Sequence, residues 1–339
     1  MEIKVISDSL AIQKNTLIRL WLWGIFILIL AIVMLGGATR LTHAGLSIVE
    51  WKPISGIIPP FTLSDWMLEF ERYKASPEYL IINKGMRLAD FKFIFWMEYS
   101  HRLLGRFIGL YVFIPMLYFW ARGMLYTKLK YTCVILLILG GLQGAMGWYM
   151  VRSGLVNNHH VSPFRLSVHL LMAFALAAVV LLALRRFYVY PSTRPNNKSQ
   201  LWHILNLILI IITIFYGALV AGHKAGFIYN TFPLMEGVWI PSEWLYLTPL
   251  WRNFIENAAT IQFIHRQLAY LILISTSLGI WMRWISPWYG MVVIVQLLLG
   301  ILTLLYNVPI LLGTLHQGWA LIVFSVAFWS LTHRTRIQI

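Results

Sequence analysis

Eight stretches of this chain are apolar over nearly the length needed to cross a lipid bilayer, and that repetition leaves few folds open. A helix needs about 20 apolar residues to span the hydrocarbon core. Such runs fall roughly at 18–38, 93–120, 131–151, 164–186, 201–222, 258–283, 287–306 and 311–332. Lipid offers no water to a backbone N–H or C=O, so each run must satisfy its own hydrogen bonds, which a helix does. Composition agrees: 59% of the 339 residues are hydrophobic, only 12% are charged, and the mean hydropathy is +0.72, unlike a soluble domain. The sixteen Trp and sixteen Tyr, many near span ends, fit interfacial anchoring. The expected fold class is therefore an all-α integral membrane protein with eight transmembrane helices.

A net charge of +15 invites a nucleic-acid reading, but the placement of the charge excludes it. Thirteen basic residues (Lys4, Lys14, Arg19, Arg122, Lys128, Lys130, Arg185, Arg186, Arg194, Lys198, Arg283, Arg334 and Arg336) fall on one set of span ends. The alternate short loops hold four: Arg152, Arg165, Lys224 and Arg252. That bias is the positive-inside pattern for cytoplasmic N- and C-termini. The long loop after the first span carries seven more, and long translocated loops follow the rule weakly. The lone cysteine, Cys133, rules out an intramolecular disulfide. The first twenty residues lack a signal-peptide h-region and the composition of a transit peptide, so the expected location is a bacterial inner membrane.

The chain reads as a four-helix unit written twice: residues 1–190, a polar cytoplasmic linker at 191–200, and residues 201–339. Gly36-Gly37 and His43-Ala44-Gly45 after the first span answer Gly217-Ala218 and His223-Lys224-Ala225-Gly226 after the fifth. His101-Arg102, Gln143 and His169 recur in order as His265-Arg266, Gln296 and His316. Four spans per unit give both halves the same orientation, so the expected arrangement is two tandem bundles about a pseudo-two-fold along the membrane normal. Each of the four histidines lies six to nine residues into an inward-running span, at ~9–14 Å depth. All four thus share one level toward the periplasmic side.

Ionisable side chains inside a membrane span are rare and mark function. Single histidines often just bond a neighbouring helix. Four in register suggest two pairs of axial ligands, each holding the iron of a porphyrin, because imidazole is a standard axial ligand. Zinc fits less well, since two histidines leave its usual ligand set incomplete. His43, His159, His160, His203, His223 and His333 fall in loops or at helix ends and are read as interfacial or solvated. Arg102 and Arg266 could pair with haem propionates or snorkel to headgroups. Gln143 and Gln296 could touch a haem edge or join helices, and the glycines of spans three and seven suit close helix packing or a flat macrocycle. The halves differ at one place: Glu98 lies one turn before His101, where Gln262 precedes His265. Such a carboxylate could move protons or stabilise positive charge, or instead pair with Arg102 or Arg40. The asymmetry favours one half as reaction chamber and the other as electron relay.

At these residues the chain closely resembles the haem A synthase family. The resemblance rests on GGATRLTHAGLSIVEWKPISGIIPP (36–60), FKFIFWMEYSHRLLGR (91–106), GGLQGAMGWYMVRSGL (140–155) and the two later histidine helices. It implies eight membrane helices and oxidation of a haem O methyl group to the formyl group of haem A, for use by terminal oxidases. It also implies Glu98, His101 and His169 as the substrate-side site, and His265 and His316 as ligands of a retained haem b. Arg40, Arg102, Arg266, Gln143 and Gln296 are the further candidate cofactor-binding residues, on the residue readings above. Expected partners are haem O synthase, an external electron-transfer protein and membrane lipid; a homo-oligomer is left open. Some bacterial members carry a cysteine pair in outer loops. None occurs here, so the chain resembles the subclass shared with mitochondria. In the first loop Trp66, Glu69, Phe70, Glu71 and Tyr73 are expected to form either an amphipathic cap or a docking surface. Two rival readings are a di-haem cytochrome b electron relay and a haem exporter or chaperone.

Overall fold

The computed structural model describes residues 2–156, 160–188 and 197–334. His159, Arg194, Arg336 and linker positions 191–196 lie outside the described residues. Eleven α-helices are described: α1 Glu2–Leu41, α2 Leu63–Lys74, α3 Pro77–Ile81, α4 Leu88–Ala121, α5 Thr127–Val156, α6 Pro163–Arg185, α7 Asn197–Gly222, α8 Asn253–Glu256, α9 Ala258–Trp281, α10 Pro287–Leu305 and α11 Ile310–Arg334. Eight of these (α1, α4, α5, α6, α7, α9, α10 and α11) are long and apolar enough to cross a membrane, matching the eight expected spans. No strand occurs among the described residues. The protein is an all-helical, multi-pass membrane protein.

Local chemistry sets where the spans begin. Ser162 caps α6 and Pro163 opens it, where a missing N–H costs nothing. Asn257 caps α9 by accepting from the N–H groups of Ala259 and Thr260. Helix α4, at 34 residues, is longer than its apolar run. At 1.5 Å per residue it measures about 51 Å against a hydrocarbon core of about 30 Å. It is thus about 20 Å longer than the core, and its first turns carry the packing of the loop that follows α1.

Within the first half α1 packs on α4 and α6, α4 on α5, and α5 on α6. In the second, α7 packs on α9 and α11, α9 on α10, and α10 on α11. Between halves α1 meets α11, α6 meets α7, and α6 meets α11. Exchanging α1, α4, α5 and α6 for α7, α9, α10 and α11 leaves this set unchanged. The seam is apolar: Phe174 meets Phe324 edge-on at 5.3 Å, and alanines Ala173, Ala177 and Ala327 allow close approach. Gln317 on α11 donates to the Val33 carbonyl of α1 at 2.7 Å, one polar tie across it.

The long first loop folds onto the projecting end of α4. Thr62 and Asp65 form a capping box that starts α2. Trp66, Phe70 and Tyr73, at helical spacing, are buried together with Phe91 and Phe95. Phe91 stacks on Phe70 at 4.9 Å and on Tyr73 at 5.3 Å. Glu69, at the edge of that face, pairs with Arg72, and Glu71, on the exposed face, pairs with Lys74. Of the two expectations for this segment, the amphipathic cap describes its packing.

Candidate functional site

Each of the four histidines sits against a glycine on a neighbouring span. A Cβ built on Gly36 of α1 would lie 3.1 Å from His101, and one on Gly147 of α5 would lie 3.2 Å from His169. On Gly217 of α7 it would lie 3.0 Å from His265, and on Gly300 of α10 it would lie 2.9 Å from His316. All four rings are half-buried between helices.

The two second-half histidines lie close together. The rings of His265 and His316 have centroids 6.4 Å apart and planes at 85°. Imidazole nitrogens bind metals at about 2.0 Å and the ring centroid lies about 1.1 Å behind the nitrogen, so opposed imidazoles on one ion have centroids about 6.2 Å apart. Nδ1 of His265 is 3.1 Å from the Thr213 carbonyl, which can accept its proton and leave Nε2 for a metal. The Gln296 amide donates to the His316 carbonyl at 3.2 Å and lies 3.3 Å from His316 Nδ1. In the first half, Gln143 makes the same tie to the His169 carbonyl, at 3.1 Å. In the first half, however, Nδ1 of His169 is buried without a partner, while Oε1 of Gln143 and of Gln296 are alike unpartnered. Both glutamines thus join helices, one of the two uses the sequence left open. No group of three or more His, Cys, Asp or Glu able to hold a bare ion occurs among the described residues. Two imidazoles per half suit a metal whose other positions come from a macrocycle.

Glu98 is 3% exposed and fully engaged. Its Oε2 accepts from Ser47 Oγ and the Ile48 N–H, both at 2.8 Å. Its Oε1 accepts from Arg102 Nε at 3.0 Å and Nη2 at 2.6 Å. Arg102 goes on to the carbonyls of Ile48 and Glu50. The second half repeats the latch: Gln262 donates to the Tyr229 carbonyl at 2.9 Å, and Arg266 donates to those of Tyr229 and Thr231. Both arginines therefore hold the outer loops rather than reaching for headgroups. Arg266 Nε is left buried and unpartnered. Arg40 does not approach Glu98 within ion-pair distance; it donates to the Ala221 and Gly222 carbonyls, tying the end of α1 to that of α7. Beyond it His43 and Lys224 share a left-handed backbone (φ 54° each) and precede buried Ala44 and Ala225. The repeat thus pairs His43 with Lys224, not His223, whose Nε2 lies 2.8 Å from the Ile255 carbonyl. Above Arg102 a cleft of about 350 Å³ is lined by Lys52, Arg72, Arg102 and Arg106, with Glu50 and Glu69 beside them.

Glu78 is a residue that sequence reasoning missed. It sits on the inner side of the cap, 4% exposed, accepting a hydrogen bond from Tyr73 Oη at 3.2 Å. Tyr73 in turn accepts from Asn83 at 2.7 Å. Burial, reinforced by the charge of Glu98 and opposed by Tyr73, Arg40 and Lys224, pushes the Glu78 carboxyl up to about 7. A lone Glu in a five-residue helix gives no sequence signal of this. Its folded-state value exceeds its unfolded one, so the cap loses stability as pH rises from about 4.5 to 7 and the carboxyl is forced to ionise. Glu78→Gln should therefore tighten the cap at pH 8, by on the order of 3 kcal/mol, and leave it unchanged near pH 4. Hydrogen exchange of 63–81 at the two pH values measures this; equal protection in both proteins at pH 8 would contradict it.

Fold and site together define a helical membrane protein with four half-buried histidines, each set against a glycine of a neighbouring span. Residues 19–328 match the COX15-CtaA family, described as cytochrome oxidase assembly protein, and the chain belongs to that family. Relatives from Brucella anthropi and Brucella ovis, each named "Heme A synthase", are 45% identical over 333 residues, covering 94% of this chain and 93% of theirs.

Proposed function

We propose that this chain is a haem A synthase, oxidising a methyl group of haem O to the formyl group of haem A. The observation that carries the reading is the His265–His316 pair, whose ring separation of 6.4 Å would let the two imidazoles hold one iron between them. The names of the 45% identical relatives agree with it. The contrast between halves assigns the roles. His265 and His316 each have Nδ1 engaged, which suits a resident haem b, whereas the free Nδ1 of His169 suits a ligand that is taken up and released. Haem O, the substrate, would bind between His101 and His169 in residues 1–190; haem b would bind in 201–339. The two halves would be related by a pseudo-two-fold along the membrane normal.

A haem b in the second half supplies one-electron redox chemistry. The protein's own residues do the rest. His101 and His169 orient the substrate by its iron. Glu98, one turn from His101, would supply negative charge to the substrate site and could stabilise positive charge developing there. Arg102, with Ser47 and the Ile48 N–H, holds that carboxylate in place. Arg266 Nε, buried and unpartnered, suits a propionate of the second haem. Gln143 and Gln296 fix the helices that bear His169 and His316. We place the chain in a bacterial inner membrane, with both termini cytoplasmic and the haem sites toward the periplasm. Haem O synthase and an external electron carrier are its partners.

One observation favours a second reading, a di-haem electron relay: Glu98 and Gln262 each bond the backbone of a loop, so the carboxylate has a structural use. Expression with a haem O synthase in a host that makes no haem A separates the two. Haem A identified by mass in the extracted porphyrins is the expected result; haem O recovered unaltered beside haem b would favour the relay.

A further inference from the structure

We infer that Gly36, Gly147, Gly217 and Gly300 are positioning residues, each the seat against which one imidazole rests and by which the plane of that ring is set. The inference rests on the two-haem reading above. The four contacts share one placement, the glycine on an odd-numbered span and the histidine on an even-numbered one; the nearest ring atom is Cε1 at Gly147, Gly217 and Gly300 and Nε2 at Gly36. Within each half the first span seats the second and the third seats the fourth. A Cβ at these positions would fall 2.9–3.2 Å from ring atoms, closer than ordinary van der Waals contact, so the ring would have to move by a few tenths of an ångström.

Three of the seats have a second half. Gln143 bonds the His169 carbonyl and Gly147 follows one turn later. The Thr213 carbonyl lies on His265 Nδ1 and Gly217 follows one turn later. Gln296 contacts His316 and Gly300 follows one turn later. A polar group at i and a bare backbone at i+4 therefore lie on one face of a single helix, holding the ring or its backbone on one side and clearing it on the other. Simple helix packing does not account for this. Gly140, Gly141 and Gly144, on the same helix as Gly147, would meet nothing within 4 Å if given a Cβ. Gly290, on the same helix as Gly300, would meet Ile280 at 2.6 Å, a tight contact with no histidine in it. The structure thus holds both kinds of control.

The readout is the electron paramagnetic resonance of the oxidised low-spin haem, whose anisotropy depends on the angle between its axial imidazole planes, here 85°. Gly217→Ala and Gly300→Ala, in the full-length protein purified with its haem, should shift that signal or lower haem content. Gly144→Ala should match the wild type in every respect. Gly290→Ala should lower thermal stability yet leave the signal in place. Spectra of Gly217→Ala and Gly300→Ala that coincide with wild type at full haem content would overturn the inference while leaving the two-haem reading intact. Equal signal shifts in Gly290→Ala and Gly300→Ala would also overturn it, since general packing would then suffice. A wild-type protein with no haem would remove the two-haem reading and the seats with it.

Discussion

His316→Ala is expected to empty the second haem site while leaving the first able to bind. The substitution removes one of two imidazoles that face each other at 6.4 Å. Loss of even an outer-shell partner of a ligating histidine costs about 10–100-fold in metal affinity, so loss of the ligand itself should exceed about 100-fold. The fold should survive, because the α11 contacts that hold the halves together lie elsewhere: Phe324 on Phe174, and Gln317 on the Val33 carbonyl. Haem per chain, measured on purified protein, should fall to what the first site retains, and haem A formation should stop for want of an electron path. His169→Ala should spare the resident haem and abolish only substrate binding. Full haem content in His316→Ala with an unchanged low-spin spectrum would remove His316 from the ligand set.

The second large effect is expected at Glu98. Glu98→Gln keeps the size of the side chain but removes the anion that Arg102 holds at 2.6 Å. Leaving one partner of a buried ion pair costs about 3–5 kcal/mol where no other acceptor is near. Arg102 keeps the Ile48 and Glu50 carbonyls, and Arg266 is held in the second half by carbonyls alone beside a glutamine. The variant should therefore fold and bind haem. Haem A formation, which requires the charge, should fall by about 100-fold or more. Wild-type yields of haem A from Glu98→Gln would assign the carboxylate to the latch alone.

Those latches also show what the chain's letters could and could not convey. The eight spans were legible because lipid burial imposes an apolar run on every one, and the amphipathic cap because Trp66, Phe70 and Tyr73 fall on one helical face. The repeat was legible through its histidines, yet the pairing of His43 with Lys224 emerges only from the shared backbone turn. From sequence Gln262 is only the lack of a carboxylate; in three dimensions it too bonds a loop, but as donor to the Tyr229 carbonyl, where Glu98 accepts from the Ile48 N–H and pairs with Arg102. Arg102 and Arg266 were weighed against propionates and headgroups. Neither option included the loop carbonyls that hold them, because a loop's path is not written in hydropathy. The glycines were visible as small faces, but the side chain each one clears belongs to another helix. Glu78 was hidden for the same reason: burial of a carboxyl under a cap depends on where the cap lands.

All of these assignments depend on two iron porphyrins hung between imidazoles. Purification of the chain from cells supplied with both haem O and haem b, followed by optical titration and iron-to-protein ratio, examines that dependence most directly. The account predicts a Soret band, two haems per chain, and low-spin ferric signals from both. A colourless protein, or haem bound undiminished after all four of His101, His169, His265 and His316 are changed to alanine, would contradict it.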